Sequence, residues 1–327
     1  MKTRLFGKTG FQISEISLGT WQLGSVWGEP FDQQNALDTL AHAVASGINA
    51  FDTADVYQDG QSENVIGTFI KTQEPKPFII TKVGRRLPQQ TYEGYNETNL
   101  RQFVEDSRAN LDVTTIDMVL LHCPPTSVYD NKAVFDLLET LKDEKKIHHF
   151  GVSVETVEEG FKALQYPGVA AIEIIFNMFR LKPLDAFFKA AHEAGVGIIV
   201  RVPLASGLLS GKFDQKTTFN PNDHRAFNRE GKFFDKGETF SGVDFETGLA
   251  AVNALKDYFK TDQLAPIALR WILMFDAVST VIPGASKAKQ ILSNAQAAQL
   301  PPLSEDDMAF VEAVYERYFK KDVHPQW

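Results

Sequence analysis

Short apolar runs alternate with amphipathic stretches along almost the whole chain. The apolar runs predict strands at Glu15–Leu18, Ile48–Asp52, Phe78–Lys82, Ile116–His122, His149–Val152, Ala171–Phe176, Gly197–Val202 and Val278–Ile282. Several, including IDMVLLH, AIEIIF and GIIVRV, are near-continuous in apolar residues, as strands buried on both faces should be. Between them the apolar period lengthens to that of a helix, for example over Asn35–Ser46, Thr98–Leu111, Lys132–Glu144, Leu184–Ala194 and Gly248–Tyr258. Eight strand–helix units with short connections predict an α/β fold, a closed parallel (β/α)8 TIM barrel. The opening RLFGKTGFQIS predicts an N-terminal β-hairpin lying as a lid over one end. The stretch Lys212–Gly242 is long, polar and rich in Phe, Asn, Asp and Gly, and it follows the seventh barrel strand. A loop of that length inside a compact domain is usually functional. No linker or repeat interrupts the pattern, so one domain over residues 1–327 is expected.

Composition narrows the partners. With 42 acidic against 33 basic residues the formal net charge is −9, which argues against a nucleic-acid or anionic-membrane partner. A local basic pocket for a phosphate stays compatible with it. Cys123 is the one cysteine, so no intrachain disulfide is possible. The start MKTRLFGKTGFQ is too polar for a secretory signal, and no apolar run approaches the roughly 20 residues of a membrane span. A cytoplasmic protein is the expectation.

In such barrels catalytic groups sit at or just after the C-terminal ends of strands. Those positions hold Asp52 in FDTADVY, Lys82 in IITKVG and His122 in VLLHCP, with Tyr57 on the loop after Asp52. Each residue alone has a plain structural reading: a helix cap, a packed ring, a satisfied histidine. Lys82 is the exception, because an unpaired lysine beneath a barrel mouth costs several kcal/mol, and Asp52 is one strand away. Together the four close a chemical circuit. A phenol titrates near pH 10 and is a poor acid at neutrality, and a nearby ammonium favours the phenolate. Asp52 would hold that ammonium, and His122 would bind the substrate oxygen.

The order D-T-A-x-x-Y, T-K, L-H resembles the catalytic tetrad of the aldo-keto reductase family. The likeness continues through SLGTWQLG, YQDGQSE, GVSVE, PLASGLLSGKF and IPGASKAKQILSN, in family order. It implies carbonyl reduction without a metal, NADP(H) lying extended across the mouth, and the tetrad roles for Asp52, Tyr57, Lys82 and His122. By the same resemblance Gly19, Thr20 and Trp21 border the nicotinamide, and Ser153 and Asn177 lie beside its carboxamide and ring. Pro203, Leu204, Ser206, Gly207, Leu208, Gly211 and Lys212 match the loop that clasps the pyrophosphate. Gly284, Ser286, Lys287, Gln290 and Asn294 match the end that grips adenosine and any 2′-phosphate. The plain reading of that last segment is a helix N-terminus capped by Ser286, and such a terminus is itself an anion site.

Three positions depart from the family pattern: Val154 follows the serine of GVS, Glu173 stands where glutamine is usual, and Arg201 stands for the stacking aromatic. Glu173 and Arg201 are opposite in charge and lie on adjacent strands, so a salt bridge between them is expected, with the Arg201 plane against the nicotinamide. Ser286, Lys287 and Lys289 favour NADP(H) over NAD(H), with Gln290 in place of a common arginine. Trp21, Trp27, Tyr129 and the loop around Phe227–Phe240 would wall a pocket for a small carbonyl. GLLSGKF lacks the spacing of a phosphate-binding P-loop, and no GxGxxG supports a Rossmann domain. His148 and His149 would face opposite sides of a strand, poor geometry for one metal. Two rival functions remain: a cofactor-binding regulatory subunit with slow turnover, and a Schiff-base lyase using Lys82. A carboxylate beside Lys82 raises its pKa, which disfavours the lyase.

Overall fold

A computed structural model describes residues 1–25 and 29–327; Trp27, expected in the pocket wall, lies outside them. Strands β1 (Thr3–Leu5) and β2 (Gln12–Ser14) pair antiparallel as the expected hairpin. Eight parallel strands follow in sequential order: β3 (Leu18–Gly19), β4 (Ala50–Asp52), β5 (Phe78–Val83), β6 (Ile116–His122), β7 (Ile147–Ser153), β8 (Val169–Ile175), β9 (Gly197–Arg201) and β10 (Val278–Val281). Single parallel bridges from Ile16 to Val281 and from Gly19 to Gly284 join the first and last of them. The first barrel strand therefore sits later than its apolar run suggested. Residues 15–17 contribute isolated backbone bonds, Ser17 N to Val281 O at 2.9 Å among them. Its pairing with β4 runs through Leu18 and Gly19.

The helices that carry the chain between strands are α1 (Gln33–Ala45), α2 (Gln61–Ile70), α3 (Glu97–Leu111), α4 (Lys132–Asp143), α5 (Val157–Leu164), α6 (Phe187–Glu193), α7 (His224–Phe227), α8 (Phe245–Phe259) and α9 (Ala265–Ile272), and α10 (Ala288–Ala297), α11 (Glu305–Tyr318) and α12 (Lys320–Val323) follow the last strand. Side chains alternate in direction along a strand, and this splits the core into two clusters. One fills the space between strands and helices, from Leu18 and Phe51 through Val119, Ile172 and Val200 to Trp271. The other fills the barrel, with Ala50, Ile80, Met118, Leu120, Ala171 and Ile199 packed on Phe6 and Ile13 of the hairpin. The same alternation fixes what stands above the second cluster. Two residues beyond Ala50, Ile80, Leu120, Gly151, Ala171 and Ile199 come Asp52, Lys82, His122, Ser153, Glu173 and Arg201. Six polar groups thus form the next layer at the C-terminal mouth.

The hairpin closes the opposite end. Gly7 (φ +49°) packs so tightly that a Cβ there would lie 2.3 Å from Gly197 N and 2.4 Å from Ala170 O, both at strand starts. His149 stacks on Phe78 with ring centroids 6.5 Å apart, so it lines this lower end. At the mouth, the long loop after β9 is more ordered than its composition suggested. It contains α7 and single turns at Lys236–Glu238 and Phe240–Gly242. The indole of Trp327 braces it, donating to Asp235 Oδ1 at 2.9 Å and covering Gly242 so closely that a Cβ would meet it at 2.2 Å. Among the described residues no helix is long and apolar enough to cross a membrane.

The loop after β4 is held from below. Glu63 of α2 accepts from Thr81 Oγ1 at 2.6 Å and Asn110 Nδ2 at 2.9 Å, and Arg86 Nη2 donates to the Asp55 carbonyl at 2.5 Å. The Asp55 carboxyl is 1% exposed, with the backbone N–H groups of Gly84 and Val56 beside it. Burial, reinforced by Glu63 and partly offset by Arg86, pushes it up to about 7.

Two outcomes follow. Phe6→Ala opens a hole in a fully buried site and should cost about 3–5 kcal/mol in urea unfolding, whereas Leu5→Ala, at a 58% exposed position, should stay within about 0.5 kcal/mol. Equal effects would show that the hairpin does not plug the barrel. Asp55 binds its proton more tightly folded than unfolded, so its contribution to stability is lost as pH rises from about 4 toward about 7. Asp55→Asn should therefore raise Tm more at pH 8 than at pH 4.5, and a pH-independent change would contradict this account.

Candidate active site

Lys82 is fully buried and its ammonium lies among three groups. Nζ is 2.5 Å from Asp52 Oδ1, 3.5 Å from Glu173 Oε2 and 3.4 Å from Tyr57 Oη. It also donates to Thr53 O at 3.1 Å. The expected partnership of Lys82 with Asp52 is present, and Glu173 joins it. Burial alone would lower the lysine, but Asp52 and Glu173 outweigh it and hold the ammonium charged. Burial and the neighbouring Glu173 push Asp52 up, because one ammonium serves two carboxylates. The Tyr57 ring meets that of His122 edge-on with centroids 6.0 Å apart. Burial, with Arg85, Lys82 and Arg201 nearby, holds His122 well below its ordinary value. The imidazole is neutral.

Tyr57 departs from expectation. Lys82 lowers its pKa, but burial raises it further, and Asp52 and Glu173 add to the rise. The phenol holds its proton more firmly than a free one. Trp21 stacks beside it at 6.4 Å and packs against His224 at 4.8 Å and Phe234 at 6.1 Å, so the long loop covers the phenol from above. Tyr129 is not a pocket wall: it is 1% exposed and its hydroxyl donates to Ser153 O at 3.1 Å.

The expected Glu173–Arg201 pair is the weakest contact either residue makes. Arg201 Nε lies 4.0 Å from Glu173 Oε1, while Arg201 Nη2 lies 2.7 Å from Glu155 Oε2. Register explains it: Glu173 sits opposite Ile199 and Arg201 opposite Ile175, so the two are staggered by a pair of residues. The long guanidinium instead crosses β8 to reach Val154 O at 3.1 Å and Glu155 beyond β7. There it enters a cluster that sequence reasoning missed. Glu238 of the long loop pairs with Arg85 at 2.6 Å and lies 3.7 Å from Arg201. Arg85 also reaches Glu155 at 3.3 Å, and Arg180 Nη2 donates to the Glu155 carbonyl. The available signal was positional, since Arg85, Glu155 and Arg180 all follow strand ends.

The residues matched to the pyrophosphate loop form a run of left-handed backbone, with φ +46° at Ala205, +53° at Ser206 and +100° at Gly207. Ser206 Oγ donates to Glu238 O and accepts from Phe240 N, both at 3.0 Å, so the long loop rests on it. Gly211 closes the run in the left-handed region at φ +77°; Leu208 is buried and Lys212 exposed, beside Pro203 and Leu204. At the other end Gly284 faces open space. Lys287, not Ser286, occupies the cap of α10, and it makes no side-chain cap bond. Gln290 folds back onto Ser286, accepting from its N at 2.9 Å and its Oγ at 3.1 Å; Asn294 is buried behind them. Gly19 and Thr20 tie strand ends, Thr20 Oγ1 donating to Asp52 O at 2.8 Å. Asn177 Nδ2 is engaged by Val202 O at 2.9 Å and Ser241 Oγ at 2.7 Å, and Ser153 Oγ by Glu173 Oε1 at 3.3 Å.

Comparison with known proteins agrees with this layout. Residues 15–316 match the Aldo/keto reductase family. The chain is 27% identical to aldo-keto reductase YhdN of Bacillus subtilis, covering 98% of this chain and 95% of that one. It is 26% identical to the NADH-specific methylglyoxal reductase of Escherichia coli over 97% and 99% of the two chains. The solved glycerol dehydrogenase of Gluconobacter oxydans superposes with a TM-score of 0.78 at 26% identity, covering 99% and 98%. With a family match running through every barrel strand and the strand-end groups meeting at one mouth, this chain belongs to the aldo/keto reductase family, which supports an oxidoreductase acting on carbonyl compounds.

Proposed function

We propose that the chain, acting as one domain, reduces a small aldehyde or ketone to its alcohol with NADPH, and that Tyr57 gives the proton. The observation that carries this reading is the buried Lys82 ammonium held between Asp52 Oδ1 and Tyr57 Oη at 2.5 and 3.4 Å. The nicotinamide, when bound, supplies the hydride. The chain's own residues supply the rest. Neutral His122 donates a hydrogen bond to the carbonyl oxygen and aims it at the phenol. As negative charge develops on that oxygen the Tyr57 proton moves to it, and Lys82 stabilises the phenolate left behind. Asp52 keeps the ammonium charged and in place. A lysine held so firmly charged is a poor Schiff-base nucleophile, which counts against the lyase reading.

The residues present fit the dinucleotide unevenly. Open space at Gly284, the uncapped start of α10 and the left-handed run at Ala205–Gly207 suit the adenosine and phosphate end. At the other end, among the described residues, Asp52 Oδ2, His122 Nδ1, Glu173 Oε2 and Arg201 Nε are buried without hydrogen-bond partners, the last two in ion pairs only, an unusual concentration of such groups. These support a polar ligand there, with Ser153, Asn177, Glu173 and Arg201 beside the ring and Trp21 at its border.

Tyr57→Phe should lower carbonyl turnover by about 10²–10⁴ with NADPH affinity nearly unchanged; a variant keeping more than roughly a tenth of wild-type kcat would remove Tyr57 from the role. NADPH should bind more tightly than NADH, because Lys287 and Lys289 stand at the start of α10, where a 2′-phosphate meets both cations and backbone donors. Fluorescence quenching gives both Kd values, and equality would refute the preference.

A further inference from the structure

We infer that Arg85, Arg180 and Arg201 form an anion subsite next to the catalytic groups, that it receives the carboxylate of a carboxylated carbonyl substrate, and that Glu238 fills it while the long loop is down. The inference rests on the reductase reading and adds the substrate class. The guanidiniums of buried Arg180 and Arg201 and of half-buried Arg85 here face Glu155 and Glu238, with Glu173 at the edge, 4.0 Å from Arg201. Arg85 and Arg201 share Glu155 and Glu238 at 2.6 to 3.7 Å. Arg180 is 2% exposed, and among the described residues no carboxylate lies within ion-pair distance of it. Its Nη2 donates to the Glu155 carbonyl and its plane lies 4.4 Å from the centroid of the Trp327 ring, but among the described residues its Nη1 has no hydrogen-bond partner. A buried guanidinium without a counter-charge is costly. Burial, with Arg201 adding to it and Glu155 and Asp235 partly offsetting it, brings it down to about 9. Burial and the neighbouring Glu238 push Glu155 upward against the pull of Arg201 and Arg85, so the cluster has room for a further carboxylate beside Arg180.

The cluster adjoins the chemistry. Arg201 Nη2 lies 3.6 Å from the sulfur of Cys123, the residue after His122, and the charges of Arg85 and Arg201 help keep His122 neutral. A substrate whose carbonyl oxygen sits between His122 and Tyr57 can therefore place a nearby carboxylate among the guanidiniums. Placement in the fold selects Glu238 as the exchangeable member. Arg85, Glu155, Arg180 and Arg201 stand at or just after barrel strands, whereas Glu238 rides on a single turn of the loop after β9. An incoming carboxylate offers Arg85 and Arg201 the same forked geometry that Glu238 offers them now. Loop lifting and substrate binding are then one exchange of carboxylates.

The test uses the full chain with NADPH and two substrates differing in one group, 4-carboxybenzaldehyde and its methyl ester. The acid should show the higher kcat/KM by about tenfold or more, the scale of charge-assisted hydrogen bonds. Glu238→Gln, which removes the internal competitor, should widen the gap. The double change Arg85→Gln with Glu238→Gln, which preserves the ion balance, should close it. Equal kcat/KM for acid and ester in the wild-type protein overturns the subsite while leaving the reductase reading standing. If the double change instead weakens NADPH binding and leaves the acid-to-ester ratio intact, the guanidiniums serve the cofactor and the subsite is overturned. Should neither aldehyde be reduced, the reductase reading fails, and titration with benzoate decides the subsite separately. Saturable benzoate binding that is weakened about tenfold in the double variant supports it, and no saturable binding overturns it.

Discussion

The ammonium of Lys82, wholly removed from water between Asp52 and Glu173, is the constraint around which the mouth of this barrel is arranged. A lone buried lysine tends to lose its proton. Asp52 on the neighbouring strand β4 and Glu173 across the barrel on β8 prevent that here, and each is then obliged to find further support. Asp52 shares one ammonium with a second acid, and Glu173 lies closer to Lys82 and Ser153 than to Arg201. Arg201, held loosely by Glu173, reaches across to Glu155. The charge of one residue thus bears on groups across the mouth.

That chain of pairings also explains why the long loop lies where it does. Arg85 and Arg201 need more carboxylate than the barrel wall supplies, and Glu238 comes from the loop to meet them. The loop is held as well by Ser206, Asn177 and the Trp327 indole, and it rests on Trp21 beside the phenol. The cover over Lys82 and Tyr57 is thus tied down by polar contacts as well as by the packing of Phe219 and Phe240. Its polar contacts exchange readily for those of a ligand of similar charge, whereas its apolar contacts would have to expose their surface to water. The raised pKa of Tyr57 belongs to this closed arrangement, in which burial outweighs the neighbouring ammonium.

The sequence by itself determined the barrel and the place of Asp52, Lys82 and His122 at its mouth. Near-continuous apolar runs can only be strands covered on both faces, and period-two alternation then forces Asp52, Lys82 and His122 inward at the C-terminal ends. Ile116–His122 was legible to the residue because both of its faces are apolar and a turn follows at once. The first barrel strand was misplaced because the alternating Ile16 and Leu18 suggest a strand from Glu15, whereas residues 15–17 take only isolated bonds at the seam of the barrel. What only the tertiary structure decided was the pairing of charges. Opposite charges on adjacent strands suggested Glu173 with Arg201, yet register staggers them by two residues, and a guanidinium is long enough to prefer a carboxylate two strands away. Arg85, Arg180, Glu155 and Glu238 stand in loops separated by 25 to 153 positions in the chain. Their meeting depends on barrel closure and on the descent of one loop. Alternation along a strand is a local property of the backbone and can be read from sequence. The partner of a long charged side chain is set by distances in three dimensions and by the desolvation of every group around it.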